Sequence, residues 1–132
     1  IIDVFPAERR DQIQVMLAGA LQGVVSQRLL RAEGGGRVAG YEVMVANEAI
    51  RNLVREGLSR QMRNFIATGA GEGMQTFEQD LARLVETGKI TMETAMAITA
   101  HPKDLQSQIA AARGRYAVAQ TPDSKGRVSN AR

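Results

Sequence analysis

Residues 24–46 of this 132-residue chain read VVSQRLLRAEGGGRVAGYEVMVA, and this stretch decides the fold class. Its two ends, 24–30 and 38–46, are rich in β-branched and apolar residues, which is typical of strands. The segment 31–36 between them ends in three consecutive glycines, which is typical of a turn. The stretch therefore predicts a β-hairpin. Because strand side chains alternate, one face of its second strand carries Tyr41, Val43 and Val45.

Outside the hairpin the apolar residues recur at helical spacing. The apolar segment 1–5 ends at Pro6 and is interpreted as the end of an element. Helices are predicted after Pro6, over 48–56 and 59–68, behind the caps Thr76 and Thr91, and through Leu105, Ile109 and Ala112. The sequence therefore predicts five or six short helices and one hairpin, an α+β chain that is mostly helical.

Length and charge suggest one domain, or a large part of one, followed by a tail. The net charge is +3, and five basic residues but only one acid lie in 113–132. This end also has little apolar periodicity, so we predict a packed body over 1–112 and a flexible basic tail over 113–132. Since these charges are sparse, a solvated tail is favoured over a nucleic-acid contact.

Several kinds of site are excluded by residue type. The chain has no cysteine and a single histidine, His101, so neither a thiolate metal site nor a disulfide framework is available. A phosphate-binding loop needs glycines followed by lysine and a hydroxyl residue, and neither Gly34–Gly36 nor Gly69–Gly73 meets that requirement. No apolar run is long enough to cross a bilayer and no signal segment is visible, so a soluble cytosolic protein without a catalytic site of its own is the default expectation.

Residues 49–57, AIRNLVREG, form the most distinctive segment. Arg51 and Arg55 are four residues apart and so lie on one side of a helix. Ile50, Leu53 and Val54 occupy the other side. This arrangement predicts a helix that joins a core to a partner surface.

The same segment resembles the C-terminal signature of the type IV pilus retraction ATPases, the PilT family of twitching motility. Further similar stretches occur in the family's order, so that the resemblance covers roughly 1–105: IIDVFP at 1–6, VVSQ at 24–27, GRVA at 36–39, IATG at 66–69 and GMQT at 73–76. The signature positions matched by residue type are Ala49, Ile50, Arg51, Asn52, Leu53, Arg55 and Glu56. Val54 is a conservative departure, while Leu58 and Arg60 stand where the family usually has Lys and His.

The resemblance implies a hexameric, ATP-driven motor with a RecA-like P-loop core, α/β in full, of which residues 1–112 are the C-terminal part. The phosphate-binding loop and the magnesium-binding Asp would lie upstream, so ATP and Mg²⁺ are implied for the full-length protein and not for motifs of this chain. A chain that begins at Ile1 and not at Met agrees with that expectation. The family also implies a cytoplasmic location peripheral to the inner membrane and partners in the pilus inner-membrane platform. No nucleic acid is expected, since the tail has a single aromatic residue and the helices carry no basic stripe.

Two alternatives stay open. Residues 27–31, QRLLR, are closer to the pilus-assembly and secretion ATPases, whose output is opposite, but those relatives typically carry a paired-cysteine insert that is absent here. The second alternative is a helical adaptor or nucleic-acid-binding module that uses the basic tail.

Overall fold

The computed structural model describes residues 2–119, with side chains described for 2–112. Its helices and strands are α1 (Ala7–Ala20), β1 (Gly23–Arg31), β2 (Arg37–Val45), α2 (Glu48–Arg55), α3 (Met62–Thr68), α4 (Phe77–Glu86), α5 (Met92–Ile98) and α6 (Pro102–Ala119). Short 3₁₀ turns cover Ile2–Val4, Ser59–Gln61 and Ala70–Glu72. The prediction of a mostly helical chain with one hairpin is confirmed.

The hairpin is antiparallel and runs in register from the pair Gly23↔Val45 to the pair Arg31↔Arg37. Its turn uses Gly35 and Gly36 at φ of 90° and 74°, a region that only glycine adopts easily. The helices cover the face opposite Tyr41, where Leu30, Gly40 and Met44 are buried. A Cβ at Gly40 would lie 3.0 Å from the Phe77 ring, so this glycine allows α4 to approach β2 closely.

Helix α4 closes the outer edge of β2. Val43 and Gln75 exchange two backbone hydrogen bonds of 2.9 and 3.0 Å, and the buried carboxylate of Asp80 accepts the Tyr41 N–H at 2.8 Å. The outer edge of β1 has a different character, because every residue of β1 except Leu30 is exposed. Three of them are large and apolar, Val24, Val25 and Leu29, with exposed fractions of 42%, 66% and 56%.

The buried apolar residues form two clusters that share no residue in the described part of the chain. Cluster one holds Ala18, Met44, Ala46, Ile50, Leu53, Val54, Ile66 and Met74. Cluster two holds Leu30, Leu81, Ala82, Leu84, Ile90, Ala95, Leu105 and Ile109. Cluster one therefore joins α1, α2 and α3 to the open end of the hairpin, and cluster two joins α4, α5 and α6 to its turn end.

The helix starts follow the predicted capping residues. Thr76 accepts the Gln79 N–H at 3.3 Å, while the Gln79 side chain accepts the Thr76 N–H at 2.7 Å, which completes a capping box. Thr91 caps α5 by accepting the Thr94 N–H at 3.1 Å. Helix α6 extends to Ala119 and so crosses the boundary predicted at 112, while residues 120–132 of the predicted tail lie outside the described residues.

No helix among residues 2–119 has the length and apolar character needed to cross a membrane.

Candidate functional site

The candidate site is α2, which carries the signature residues, together with the segments that hold it. Asn47 caps the helix, since its side-chain oxygen accepts the Ile50 N–H at 3.0 Å. The amide nitrogen of the same side chain donates to both carboxylate oxygens of Glu72, at 3.1 and 2.9 Å. Gly57 ends the helix at φ of 70°. The hydrogen bonds between Asn47 and Glu72 connect the segment before α4 to the start of α2.

The inner side of α2 is structural. Ile50, Leu53 and Val54 are 0%, 7% and 5% exposed and all belong to cluster one. Two of the signature residues that the resemblance identifies, Ile50 and Leu53, therefore act in the core and not at a surface. Ala49 lies half-buried beside them.

Arg51 joins α2 to α1. Its Nη1 donates to the carbonyl oxygens of Ala18 and Gly19, at 2.5 and 3.2 Å. These carbonyls belong to the last turn of α1, where the helix dipole favours a positive charge and the carbonyls lack helical partners. The spacing predicts Arg51 and Arg55 on one side of α2. In the structure their environments differ, because Arg51 donates to carbonyls of α1 whereas Arg55 pairs with Glu48 on α2 itself.

The outer side of α2 is polar and exposed. Arg55 forms an ion pair with Glu48 at 2.6 Å, in which the side chains are 37% and 75% exposed. The same Arg55 nitrogen donates to the side-chain oxygen of Asn52. Glu56 is exposed next to this network. We call these four residues, Glu48, Asn52, Arg55 and Glu56, the outer face of α2.

A second group of charged side chains lies between α3, α4 and α6. The Nη2 of Arg63 lies 2.8 Å from a carboxylate oxygen of Glu78 and 2.8 Å from one of Asp104. The other oxygen of Glu78 accepts a hydrogen bond from Thr99 Oγ1 at 2.8 Å. We call Arg63, Glu78, Thr99 and Asp104 the Arg63 cluster. Sequence reasoning missed it, since Arg63 and Asp104 are far apart along the chain.

The Arg63 cluster shifts the pKa of both acids. Burial by itself raises the pKa of Glu78, but hydrogen bonds from Arg63 and Thr99 outweigh it, so the pKa lies below the ordinary 4.5. The pKa of the exposed Asp104 is lowered chiefly by its hydrogen bond from Arg63. Arg63 stays charged, because its partners raise its pKa further against the opposing effect of burial. Glu78 is therefore a buried carboxylate that stays ionised through its partners.

Neither glycine segment of the described residues has the strand-to-helix position of a phosphate-binding loop. No group of three or more acidic, His or Cys side chains within the described residues could hold a metal ion. The glycines Gly34–Gly36 lie in the hairpin turn, while Gly69–Gly73 join α3 to α4 and are preceded by a helix. His101 is exposed, and its N–H donates to Thr99 Oγ1 at 2.9 Å.

Replacing Arg51 with alanine should destabilise the chain by about 1–2 kcal/mol, because the last carbonyls of α1 lose a charged donor. Urea unfolding followed by circular dichroism measures this loss. The matched control is Arg55→Ala, which removes an exposed ion pair and should cost about 0–1 kcal/mol. Equal losses for the two variants would contradict the division between an inner and an outer arginine.

The chain is similar to known pilus ATPases. It is 47% identical over 95 residues to the type IV pilus retraction ATPase PilT of Pseudomonas aeruginosa, and 45% identical over 96 residues to a twitching motility protein of Neisseria gonorrhoeae. It is 34% identical over 110 residues to the type IV pilus ATPase PilU of Pseudomonas aeruginosa. No family model matches the chain. The resemblance found in the sequence is confirmed by these relatives.

The matches cover much of this chain but less than a third of each relative. They cover 72% of the chain and 28% of the first relative, 72% and 26% for the second, and 83% and 29% for the third. A crystal structure of the pilus retraction motor PilT with bound ADP superposes with a TM-score of 0.71 at 41% identity, over 81% of this chain and 29% of that one. The Legionella pneumophila ATPase DotB shares the fold, with a TM-score of 0.57 at 20% identity over 74% of this chain and 26% of that one.

Proposed function

Because the chain is homologous to the type IV pilus motor ATPases over part of their length, we propose that it is the C-terminal part of the motor domain of a pilus retraction ATPase. The whole protein is then a hexameric motor with a RecA-like core, located in the cytoplasm at the inner-membrane base of the pilus. The two relatives with 47% and 45% identity carry retraction or twitching motility in their names, which favours retraction over assembly as the output.

The main support for this proposal is that α2 has one buried side, which is anchored in the chain, and one exposed polar side. Its inner side is anchored in cluster one, and Arg51 fixes it to the end of α1. Its outer face is exposed and entirely polar, with Glu48, Asn52 and Arg55 joined by hydrogen bonds. A helix held rigidly on one side can transmit a movement of the body to a partner on its other side.

The uncovered side of the hairpin supports a place within a larger domain. Folded proteins usually cover or blunt the edges of their sheets, whereas β1 leaves its outer edge open and exposes Val25 and Leu29. Helices cover only the face that carries Leu30 and Met44. The remainder of a motor domain would provide the missing cover.

In this proposal, ATP is bound and hydrolysed by the part of the motor that lies outside this chain. ATP and Mg²⁺ are implied for the whole motor, and the ADP-bound neighbour is a retraction motor of which this chain spans 29%. The described residues offer neither a phosphate loop nor a metal site, so no catalytic step is assigned to them. The role proposed for this part is to transmit movement between subunits and the pilus platform.

The proposal is tested by replacing Asn52 and Arg55 with alanine in the full-length motor. Retraction speed should fall by about tenfold, corresponding to about 1.4 kcal/mol of lost coupling, while ATP turnover stays within about twofold. Retraction is measured by pilus-tethered bead movement and turnover by phosphate release.

The matched control for that experiment is Arg60→Ala, which removes an exposed arginine outside α2 and should leave both rates unchanged. Equal loss of retraction and turnover in the Asn52/Arg55 variant would contradict the proposal, because it would indicate a folding or catalytic defect. The nucleic-acid alternative rests on the basic tail, of which 120–132 lie outside the described residues, and no observation favours it.

A further inference from the structure

The boundary between the two apolar clusters is polar where α3 meets α4 and α6. Cluster one receives Ile66 from α3, while cluster two receives Leu81 and its neighbours from α4. Among the described residues, the side-chain hydrogen bonds and ion pairs that join α3 to α4 and α6 are the two ion pairs of Arg63 and a hydrogen bond of 3.0 Å from the Gln79 amide to the Ala67 carbonyl. Polar interfaces between packed units permit relative movement more readily than large apolar ones.

Arg63 is placed to hold this boundary closed. It lies on α3, one residue after Met62, which packs against cluster one, and its guanidinium reaches across to α4 and α6. Its two acid partners differ, since the side chain of Glu78 is 3% exposed and that of Asp104 is 55% exposed. Water can readily replace Arg63 at the exposed Asp104, whereas loss of Arg63 leaves a nearly buried carboxylate at Glu78, so the contact with Glu78 contributes more.

The connections across the boundary allow such a movement. The covalent link from α3 to α4 contains Gly69, Gly71 and Gly73, and Gly73 has φ of 81°. The hairpin lies between α1 and α2 in the chain and packs on both halves, since it contributes Met44 to cluster one and Leu30 to cluster two. A cleft of about 280 Å³ between the hairpin and α4 has Arg63 and Glu78 in its wall, so it leaves space on one side of their contact. The expected movement is therefore a twist about the hairpin.

We propose that Arg63 is a positioning residue that clamps the half of the chain with α1–α3 onto the half with α4–α6. When its contact with Glu78 is broken, the two halves twist relative to each other while both cores stay packed. Because α2 belongs to the first half, the clamp sets the position of its outer face relative to α4–α6. The clamp does not depend on the proposed function, since it concerns only contacts within this chain.

The test measures a distance between the halves in the full chain. Because the sequence has no cysteine, Glu56→Cys and Gln106→Cys place two spin labels at exposed sites, one on each half. We expect one narrow distance distribution with the clamp intact, and a broadened or second distribution in the double variant Arg63→Gln/Glu78→Gln. This variant leaves no buried charge unpaired, so it should stay folded. Arg60→Gln is the control and should keep the narrow distribution.

Hydrogen exchange gives the second measurement. In the double variant the amides at the boundary, in residues 67–80, should exchange about tenfold faster than in the parent, while those within α1, α2 and α5 keep their rates. An unchanged distance distribution, or equal acceleration in both halves, would overturn the clamp and would show a single cooperative unit. Failure of the double variant to fold would also overturn it, because both cores are expected to hold without the clamp.

Discussion

Replacing Ile50 with alanine should lower the free energy of unfolding by about 2–5 kcal/mol, the largest effect expected of a single signature position. Ile50 is 0% exposed and packs in cluster one, so the shorter side chain removes apolar contacts and leaves a cavity among α1, α2 and the hairpin. Urea unfolding of the variant and the parent, with the slope compared as well as the midpoint, measures this loss.

The control is Asn52→Ala on the outer face of the same helix. Asn52 is exposed and its side-chain oxygen accepts a hydrogen bond from Arg55, so its replacement should change stability by less than about 0.5 kcal/mol. Comparable losses at the two positions would refute the division of α2 into an anchored and an exposed side. If the division holds, retraction defects caused by changes at Ile50 or Leu53 report on folding, and only the outer face reports on coupling.

The sequence predicts the elements whose signals are local. The hairpin follows from two β-rich runs around Gly34–Gly36, and the starts of α4 and α5 follow from Thr76 and Thr91. Each of these signals lies within a few residues of the structure that it specifies. The division of α2 into buried and exposed sides was likewise readable from the spacing of Ile50, Leu53 and Val54.

Contacts between distant residues could not be predicted in this way. Arg51 reaches a carbonyl 33 positions earlier, at Ala18, and Arg63 reaches an acid 41 positions later, at Asp104. Spacing on a single helix shows which side an arginine occupies but not which element lies there. For that reason Arg51 was expected at a partner surface, whereas the structure places it against the end of α1.

Two acids of α4 are buried, although their position in the sequence does not indicate burial. Glu78 and Asp80 lie in the first turn of a predicted helix, where acids usually interact with the helix dipole while exposed to water. In the structure Glu78 is 2% exposed and Asp80 is 1% exposed. Asp80 accepts a hydrogen bond from the Tyr41 N–H, and Glu78 accepts one from the Arg63 side chain. The packing of α4 against the hairpin brings Asp80 to Tyr41, and its packing against α3 and the end of α5 brings Glu78 to Arg63 and Thr99.

Replacing Arg63 with alanine should destabilise the chain by about 2–4 kcal/mol, because it leaves the buried carboxylate of Glu78 without its cation. The value lies below that of a fully buried pair, since the Arg63 side chain is 30% exposed. The double variant Arg63→Ala/Glu78→Gln should recover much of the loss, because no charge then remains buried. Urea unfolding of the parent, both single variants and the double variant measures the coupling between the two residues.

The pH dependence of the same variants separates a buried charge from a simple loss of packing. In the parent the pKa of Glu78 is below 4.5, so its contribution to stability is present above pH 4.5 and is lost as pH falls through the lower folded value. Without Arg63, burial raises that pKa, and the sign reverses: the penalty is absent at low pH and grows as pH rises through the raised value. The destabilisation by Arg63→Ala should therefore be larger at pH 7 than near pH 4.5. A loss of stability that does not change with pH would contradict this, and would indicate that Arg63 acts through the packing of its aliphatic stem.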